Sequence, residues 1–363
     1  HDLIDLVRVT ESLEHINAQS TALVASDIPD KIADLYRLYI ILKYSRKPII
    51  TGAFSIQGLY DMHQMLELTD DGSKIPRAIF DCCPVSPLVW DKTASQNLID
   101  CAQLGIPAQV VPAPLLGGTS PITITGTLVQ FHAEVLSGLV IAQTKRPGCP
   151  VIYGGAPMVL DQRHATPSIG AIEVIITACA AAELGKHHGV PTHSYLGLSD
   201  AKAVDAQSGF ESASGILLGA MTGINVISGP GMLANTNCQS IEKLVIDNEI
   251  CGSAHRLASG VTWDSLGTIT ELIDKVGPGG SFIGERHTRS HLRQEHFFPS
   301  NAISRISQDA WISAGSRDVI MIAKDIASDI LKGPVESVLS QEINQELDVM
   351  LERILKREGI TIS

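Results

Sequence analysis

Short apolar runs rich in β-branched residues alternate with longer helical stretches along the whole chain. The runs are HINAQSTALV (15–24), KPIITGA (47–53), RAIFDCC (77–83), AQVVPAP (108–114), PVIYGGA (150–156), THSYLGL (192–198), INVISGP (224–230) and SFIGE (281–285). Strands that alternate with helices predict βαβ units and a parallel sheet. Eight units predict a closed (β/α)8 TIM barrel. No G-x-G-x-x-G follows the first run, which disfavours an open, doubly wound nucleotide-binding sheet.

The stretches between the runs carry helix signals. Asp27 followed by Pro29 predicts a helix start, with the helix running on through residues 30–45. Residues 125–145 are apolar on several faces, as a helix between sheet and neighbours requires. Residues 171–189 end in basic residues and Gly189, and residues 205–223 open on Asp205, a good N-cap, and close on Gly223. Residues 335–359 predict a C-terminal amphipathic helix packed on the barrel or on a partner subunit. No Pro- or Ser/Gly-rich linker divides the chain, so residues 1–363 read as one domain with elaborated loops. The opening HDLIDLV has no start Met and no basic n-region. It reads as a chain without a signal peptide whose N-terminal part is missing. No apolar stretch is expected to span a membrane.

Composition narrows the class. With 44% hydrophobic and 18% charged residues, a large core can form. A net charge of −12 argues against nucleic acid as the partner. The seven cysteines are odd in number and include no C-x-x-C, so neither a disulfide framework nor a structural zinc site is expected, and a reducing cytoplasm fits.

Polar residues gather after the strands, on the face where such barrels carry chemistry. Asp200, Lys202 and Gln207 follow strand six and are the catalytic candidates. A Lys between acids is a tuned acid/base or a Schiff-base former, or else part of a loop-shaping ion-pair network. Asp161, Arg163 and His164 follow strand five; an Arg there can clamp a carboxylate or fix the loop. Tyr153 and Tyr195, with Phe54 and Tyr60 after strand two, could cage a methylated ammonium by cation–π contact, or fill the core. Ser228 opens the glycine-rich turn after strand seven, a phosphate seat or a tight turn. His287 and His291 are four apart in a stretch that also holds Arg293. They could pair on a metal, but spacing fixes no third ligand, and no metal site is expected.

The strings at 106–157, 187–213, 240–252 and 279–299, the last containing H-T-x-x-H-x-R, resemble in this order the trimethylamine methyltransferase family of corrinoid-dependent methylamine methyltransferases. The resemblance implies a barrel that takes a methyl group from a tertiary or quaternary amine. The methyl passes to the Co(I) corrinoid of a separate small corrinoid protein, and no cofactor is bound tightly. Only standard residues occur, so the chain is similar to the branch without pyrrolysine, which includes glycine betaine methyltransferases. Where many relatives carry a His ahead of the turn after strand seven, Ser228 stands here. On this reading Tyr153, Asp161, Arg163, Tyr195 and Ser228 bind substrate, His287, His291 and Arg293 meet the corrinoid partner at the rim, and the enzyme is a homo-oligomer. Two rivals remain open: a phospho-ligand lyase or aldolase using Lys202 and the Ser228–Gly231 turn, and a non-catalytic protein that binds methylated amines.

Overall fold

Parallel pairing orders the strands around the molecule as they follow one another in sequence. In this computed structural model, which describes residues 1–361 except 71 and 74, the strands are β1 (Gln19–Ser20), β2 (Ile49–Thr51), β3 (Ala78–Cys82), β4 (Ala108–Val110), β5 (Val151–Tyr153), β6 (His193–Ser194) and β7 (Val226–Ile227). Register is continuous from Gln19↔Ile49 through Ile49↔Ala78, Phe80↔Ala108 and Ala108↔Val151. A parallel bridge, Tyr153↔Thr192, carries it to β6, and His193↔Val226 joins β7. This is the barrel-type α/β fold that the alternating pattern predicts.

Each strand is followed by a helix on the outside: α2 (Ala33–Tyr44), α3 (Ile56–Leu68), α4 (Lys92–Leu104), α5 (Ile124–Lys145), α6 (Ile172–His187), α7 (Ala206–Thr222) and α8 (Ile241–Ala258). A further helix, α1 (Asp2–Ser12), precedes β1 and packs against α2 and α8. The period of two along a strand divides its side chains between helices and lumen. On β3, Ala78, Phe80 and Cys82 are buried in the main core, while Ile79 and Asp81 lie on the other face. Local chemistry agrees with the pattern at α7, where Asp205 and Ser208 form a reciprocal capping box and Gly223 closes the helix at φ 73°.

Three expectations are corrected. Ser281–Glu285 forms no strand; α9 (Leu266–Val276) and α10 (Arg286–Glu295) flank it as an irregular turn. Four glycines, Gly277, Gly279, Gly280 and Gly284, lie within five residues of its start, and no strand among the described residues pairs with it. Asp27 caps nothing: α2 is entered through a 3-10 turn at Asp30–Ile32, because Pro29 itself starts the turn. Helix α5 is long and apolar enough to cross a membrane by length and composition. It lies in the helix layer, however, packed between α4 and α6, with Phe131, Val135 and Ala142 buried and Glu134 accepting from Ser86 Oγ and Leu88 N.

Beyond α10 come α11 (Gln308–Ser313), α12 (Val319–Leu331), which packs on α8 and α1, and α13 (Gln341–Glu358). The predicted C-terminal helix is α13, six residues shorter at its start. It lies on the barrel, with Leu347, Leu351 and Ile354 buried against α2 and α3, and Arg357 gripping Asp61 through both carboxylate oxygens at 2.9 and 2.6 Å.

Seven of eight strand positions are thus filled by described strands. Between β1 and β7 lies a cavity of about 640 Å3, bordered by Ala18, Ser20, Ile227 and Gly229, with Thr10 of α1 and Ala254 of α8 behind. Both bordering strands pair on one side only.

The helix layer is pinned near the strand ends by a buried ion pair. Lys243 and Asp247 of α8 are each 1% exposed. The ammonium also donates to Gly197 O and Ser212 Oγ, and Asp247 accepts from Gly231 N at 2.6 Å. The loops after β6 and β7 and helix α7 therefore converge on one pair. Removing one partner of such a pair strands a charge, which costs about 3–5 kcal/mol. Asp247→Ala is expected to lose stability by that order in urea unfolding. The double variant Lys243→Met/Asp247→Leu, which leaves no buried charge, is expected to lose clearly less.

Candidate active site in the barrel lumen

Polar side chains on the lumen face of an apolar strand are held only by one another. Asp81 of β3 and Gln109 of β4 are register partners, and the Gln109 amide donates to one Asp81 oxygen. Tyr195, just past β6, donates its hydroxyl to the other at 3.2 Å. Burial pushes the Asp81 carboxyl up to about 6, opposed by these two donors. The same charge, more than burial, holds the Tyr195 phenol well above its ordinary value, with Arg37 pulling the other way.

His193 of β6 stands beside this set, its ring edge-on to Tyr195 at 5.2 Å. Nε2 lies 3.1 Å from Ser228 Oγ. Burial lowers the imidazole to about 3, so it is neutral at ordinary pH. Ser228 follows β7, so this contact ties the end of β7 to the neighbouring strand β6.

The mouth is completed from β1, β2 and α2. Arg37 is buried on α2, donates Nη1 to Thr21 O, and lies 4.8 Å from the Phe54 ring centroid. Phe54 is 58% exposed, and its backbone N–H is fixed by Asp34 at 2.6 Å. Three buried polar atoms around this lumen make no hydrogen bond within the described residues: Arg37 Nε, Gln109 Oε1 and His193 Nδ1. Buried polar atoms are ordinarily satisfied, so these three leave hydrogen-bonding capacity in the lumen wall. The chemistry assembled here is one carboxylate, two aromatic rings, a neutral imidazole and a guanidinium. It suits a cation that carries an acidic group nearby.

Of the residues singled out from sequence, Tyr195 and Ser228 reach this lumen and Phe54 its mouth, and the others do not. Tyr153 has the parity that points outward: it is 1% exposed, bonded to His132 Nδ1 at 2.8 Å and packed on Phe131. Arg163 is spent on Asp161, through Nε–Oδ1 at 3.1 Å and Nη2–Oδ2 at 2.6 Å, on an exposed turn that also holds His164. Asp200 accepts from Ser168 Oγ, Ile169 N and Gly170 N, which makes it the clasp of the loop after β5. Lys202 Nζ is exposed on Asp200 O, and Gln207 reaches only Glu211. Tyr60 lies on α3, its phenol raised by burial and by Asp100 of α4. In the glycine turn, Gly231 N is taken by Asp247, and a Cβ on Gly229 would meet Leu196 O at 2.3 Å. The turn is therefore a packing device rather than a phosphate cradle.

His287, His291 and Arg293 lie on α10, at the end of the barrel where the strands begin. Helix α8 leaves the far end after β7 and runs back to Ala258, where Arg256 binds Glu295 of α10 at 2.8 Å. His15, four residues ahead of β1, stacks edge-on with His255 and Phe297. The rim assignment of these three residues is therefore corrected. Asp81 and Gln109 were missed because each is a single polar residue inside an apolar strand, and His193 and Arg37 because each is one of several polar residues in its segment with nothing local to mark it. The available signal was register: aligning successive strands puts polar residues at matching lumen positions.

The family model described as Trimethylamine methyltransferase (MTTB) matches residues 1–359. A glycine betaine methyltransferase of Desulfitobacterium hafniense (strain Y51) is 32% identical over 338 residues, covering 92% of this chain and 70% of its own length. A trimethylamine methyltransferase of Methanosarcina barkeri is 31% identical over 360 residues, covering 97% of this chain and 72% of its own. Among solved structures, the monomethylamine methyltransferase of Methanosarcina barkeri superposes with a TM-score of 0.50 at 12% identity, over 91% of this chain and 70% of that one; this likeness speaks for the fold.

Because the folded Asp81 carboxyl titrates above its unfolded value near 4, its protonated form is the one the fold favours. Its contribution is complete below about pH 4 and declines as pH rises to about 6. His193 works in the opposite sense, losing stability as pH falls from about 6.5 towards 3. The difference between wild type and Asp81→Asn isolates the first effect: in thermal unfolding the variant should gain on wild type between pH 4 and 6 and stay ahead above. Tetramethylammonium binding should rise through the same interval in wild type and show no such rise in Asp81→Asn.

Proposed function

The chain belongs to the trimethylamine methyltransferase family, and from that premise we propose that it demethylates a quaternary amine bearing a carboxylate, passing the methyl group to the Co(I) corrinoid of a partner protein. The observation that carries the substrate class is the pairing, in one lumen, of Asp81 between Gln109 and Tyr195 with Arg37 at the mouth beside Phe54.

The chemistry asks little proton transfer of the protein. A quaternary nitrogen already carries its charge, so the N–CH3 bond breaks with both electrons going to nitrogen, and the reduced corrinoid supplies the pair that accepts the methyl. The chain's residues bind, orient and exclude water. The Asp81 carboxylate and the Tyr195 and Phe54 rings face the ammonium, each ring at about 0.5–2 kcal/mol. A bound cation also holds Asp81 ionised. Arg37 receives the carboxylate through its guanidinium, and the His193–Ser228 pair, neutral at working pH, shapes the wall without adding a competing positive charge. Asp200, Lys202 and Gln207 serve the loop frame in this reading.

We further propose a homo-oligomer. The neighbouring outer helices α5, α6 and α7 expose Val129, Val140, Ile176, Phe210 and Met221, apolar side chains that a subunit contact would cover.

A reduced corrinoid protein, mixed with this chain and a panel of glycine betaine, carnitine, choline and trimethylamine, should be methylated fastest by a carboxylate-bearing member. Arg37→Met should raise KM for that substrate by about ten- to a hundredfold, the loss of a charge-assisted hydrogen bond, and change choline turnover little. Equal loss on both would remove Arg37 from substrate recognition, and no methylation with any member would sink the transfer itself.

A further inference from the structure

Away from the lumen, the fold gathers a second set of ligating side chains. His287 and His291 stand one turn apart on α10 with their rings stacked, centroids 4.3 Å apart. Spacing alone left them without a third partner. Folding brings Asp264, 23 residues upstream in the segment entering α9, so that Oδ2 is 3.2 Å from His287 Nε2 and Oδ1 is 4.0 Å from His291 Nε2. One donor atom from each residue lies within 4.8 Å of the other two.

The tautomer of His291 is set by its surroundings. Its Nδ1 is 2.9 Å from the His287 carbonyl oxygen, which can only accept. Nδ1 also lies 3.0 Å from Ser290 Oγ, whose hydroxyl is already given to the same carbonyl; with Nδ1 as donor, Nε2 of the neutral ring turns a lone pair towards Asp264. A second hydrogen bond that fixes the ligating nitrogen in this way is the usual support of a metal-binding histidine. A carboxylate is acceptor-only when ionised, so the 3.2 Å contact is a hydrogen bond from His287 Nε2–H, and a metal ion can take the place of that proton. Ligands about 2.0–2.1 Å from a tetrahedral ion lie roughly 3.3 Å from one another. The 3.2 Å pair already meets that separation, and side-chain rotation brings the other two pairs, all within 4.8 Å, to it. All three side chains are 32–40% exposed, which leaves room for water as the remaining ligand.

We propose that Asp264, His287 and His291 form a binding site for a divalent transition ion of the Zn2+, Ni2+ or Cu2+ kind, the ions that imidazole with one carboxylate selects over Mg2+ and Ca2+. The site lies at the strand-start end and takes no part in methyl transfer. It ties α10 to the segment entering α9, next to the Arg256–Glu295 and Lys275–Glu285 pairs that hold the same region.

Tag-free protein stripped with a chelator and titrated with ZnCl2 by calorimetry should bind one equivalent. Co2+ in its place should give a visible absorption band of tetrahedral or five-coordinate type. His287→Ala and His291→Ala should each weaken Zn2+ binding at least tenfold. Asp264→Asn, which keeps shape and removes charge, should also weaken it and guards against misfolding of the histidine variants. Zn2+ should raise the melting temperature of wild type and not of the variants. No stoichiometric binding, or binding by all three variants as tight as wild type, overturns the site. Tight Mg2+ or Ca2+ binding in its place overturns the ion class.

Discussion

A carboxylate inside a ring of apolar strands is costly unless its oxygens are met, and at the upper end of this barrel the arrangement follows from meeting those of Asp81. Gln109 arrives from the adjacent strand in register, and Tyr195 from across the lumen. The two donors cross-link β3, β4 and the loop after β6, so the site is also a brace of the fold. The bonds do not cancel the desolvation, because the carboxyl still titrates near 6. An anion held at such a disadvantage is stabilised by any cation that enters. The selectivity of the lumen for positive charge is therefore built into the same interaction that holds the strands together.

The buried neutral His193 and the buried charged Arg37 are complementary outcomes of the same low-dielectric surroundings. The imidazole, with Ser228 as its hydrogen-bond partner among the described residues, gives up its proton. The guanidinium, too basic to do so, survives with a backbone carbonyl and the Phe54 ring. Positive charge is thereby confined to the mouth and excluded from the wall next to Asp81. That separation suits a zwitterion lying along the lumen, ammonium inward and carboxylate outward.

The two ends of the barrel carry different work. Near the ends of β6 and β7, loops converge on the Lys243–Asp247 pair, which takes up the Gly231 amide and shares the Gly197 carbonyl with Ser212 Oγ. At the end where strands begin, α9 and α10 are held by surface ion pairs, each worth about 1 kcal/mol or less. A segment fixed so weakly gains proportionately more from any additional tie, including the Asp264, His287 and His291 group.

The sequence by itself determined the alternation of strand and helix, the parallel order, the caps at Asp205 and Gly223, and the family, because each is written in short-range patterns of apolar, β-branched and turn residues. Tertiary structure alone decided which polar residues act together. Tyr153 and Asp81 both sit in apolar runs; strand parity sends the first into the helix layer and the second into the lumen, and parity is fixed only once register is. Asp200, Lys202 and Gln207, prominent as a polar cluster, are absorbed by local loop bonds, since neighbours in sequence satisfy each other first. SFIGE has the composition of a strand, but a strand also needs a free edge beside it, and the path of the chain after α8 takes that run to the other end of the barrel. Asp264 joins His287 and His291 across 23 residues for the same reason: separation in sequence carries no distance until the chain has folded.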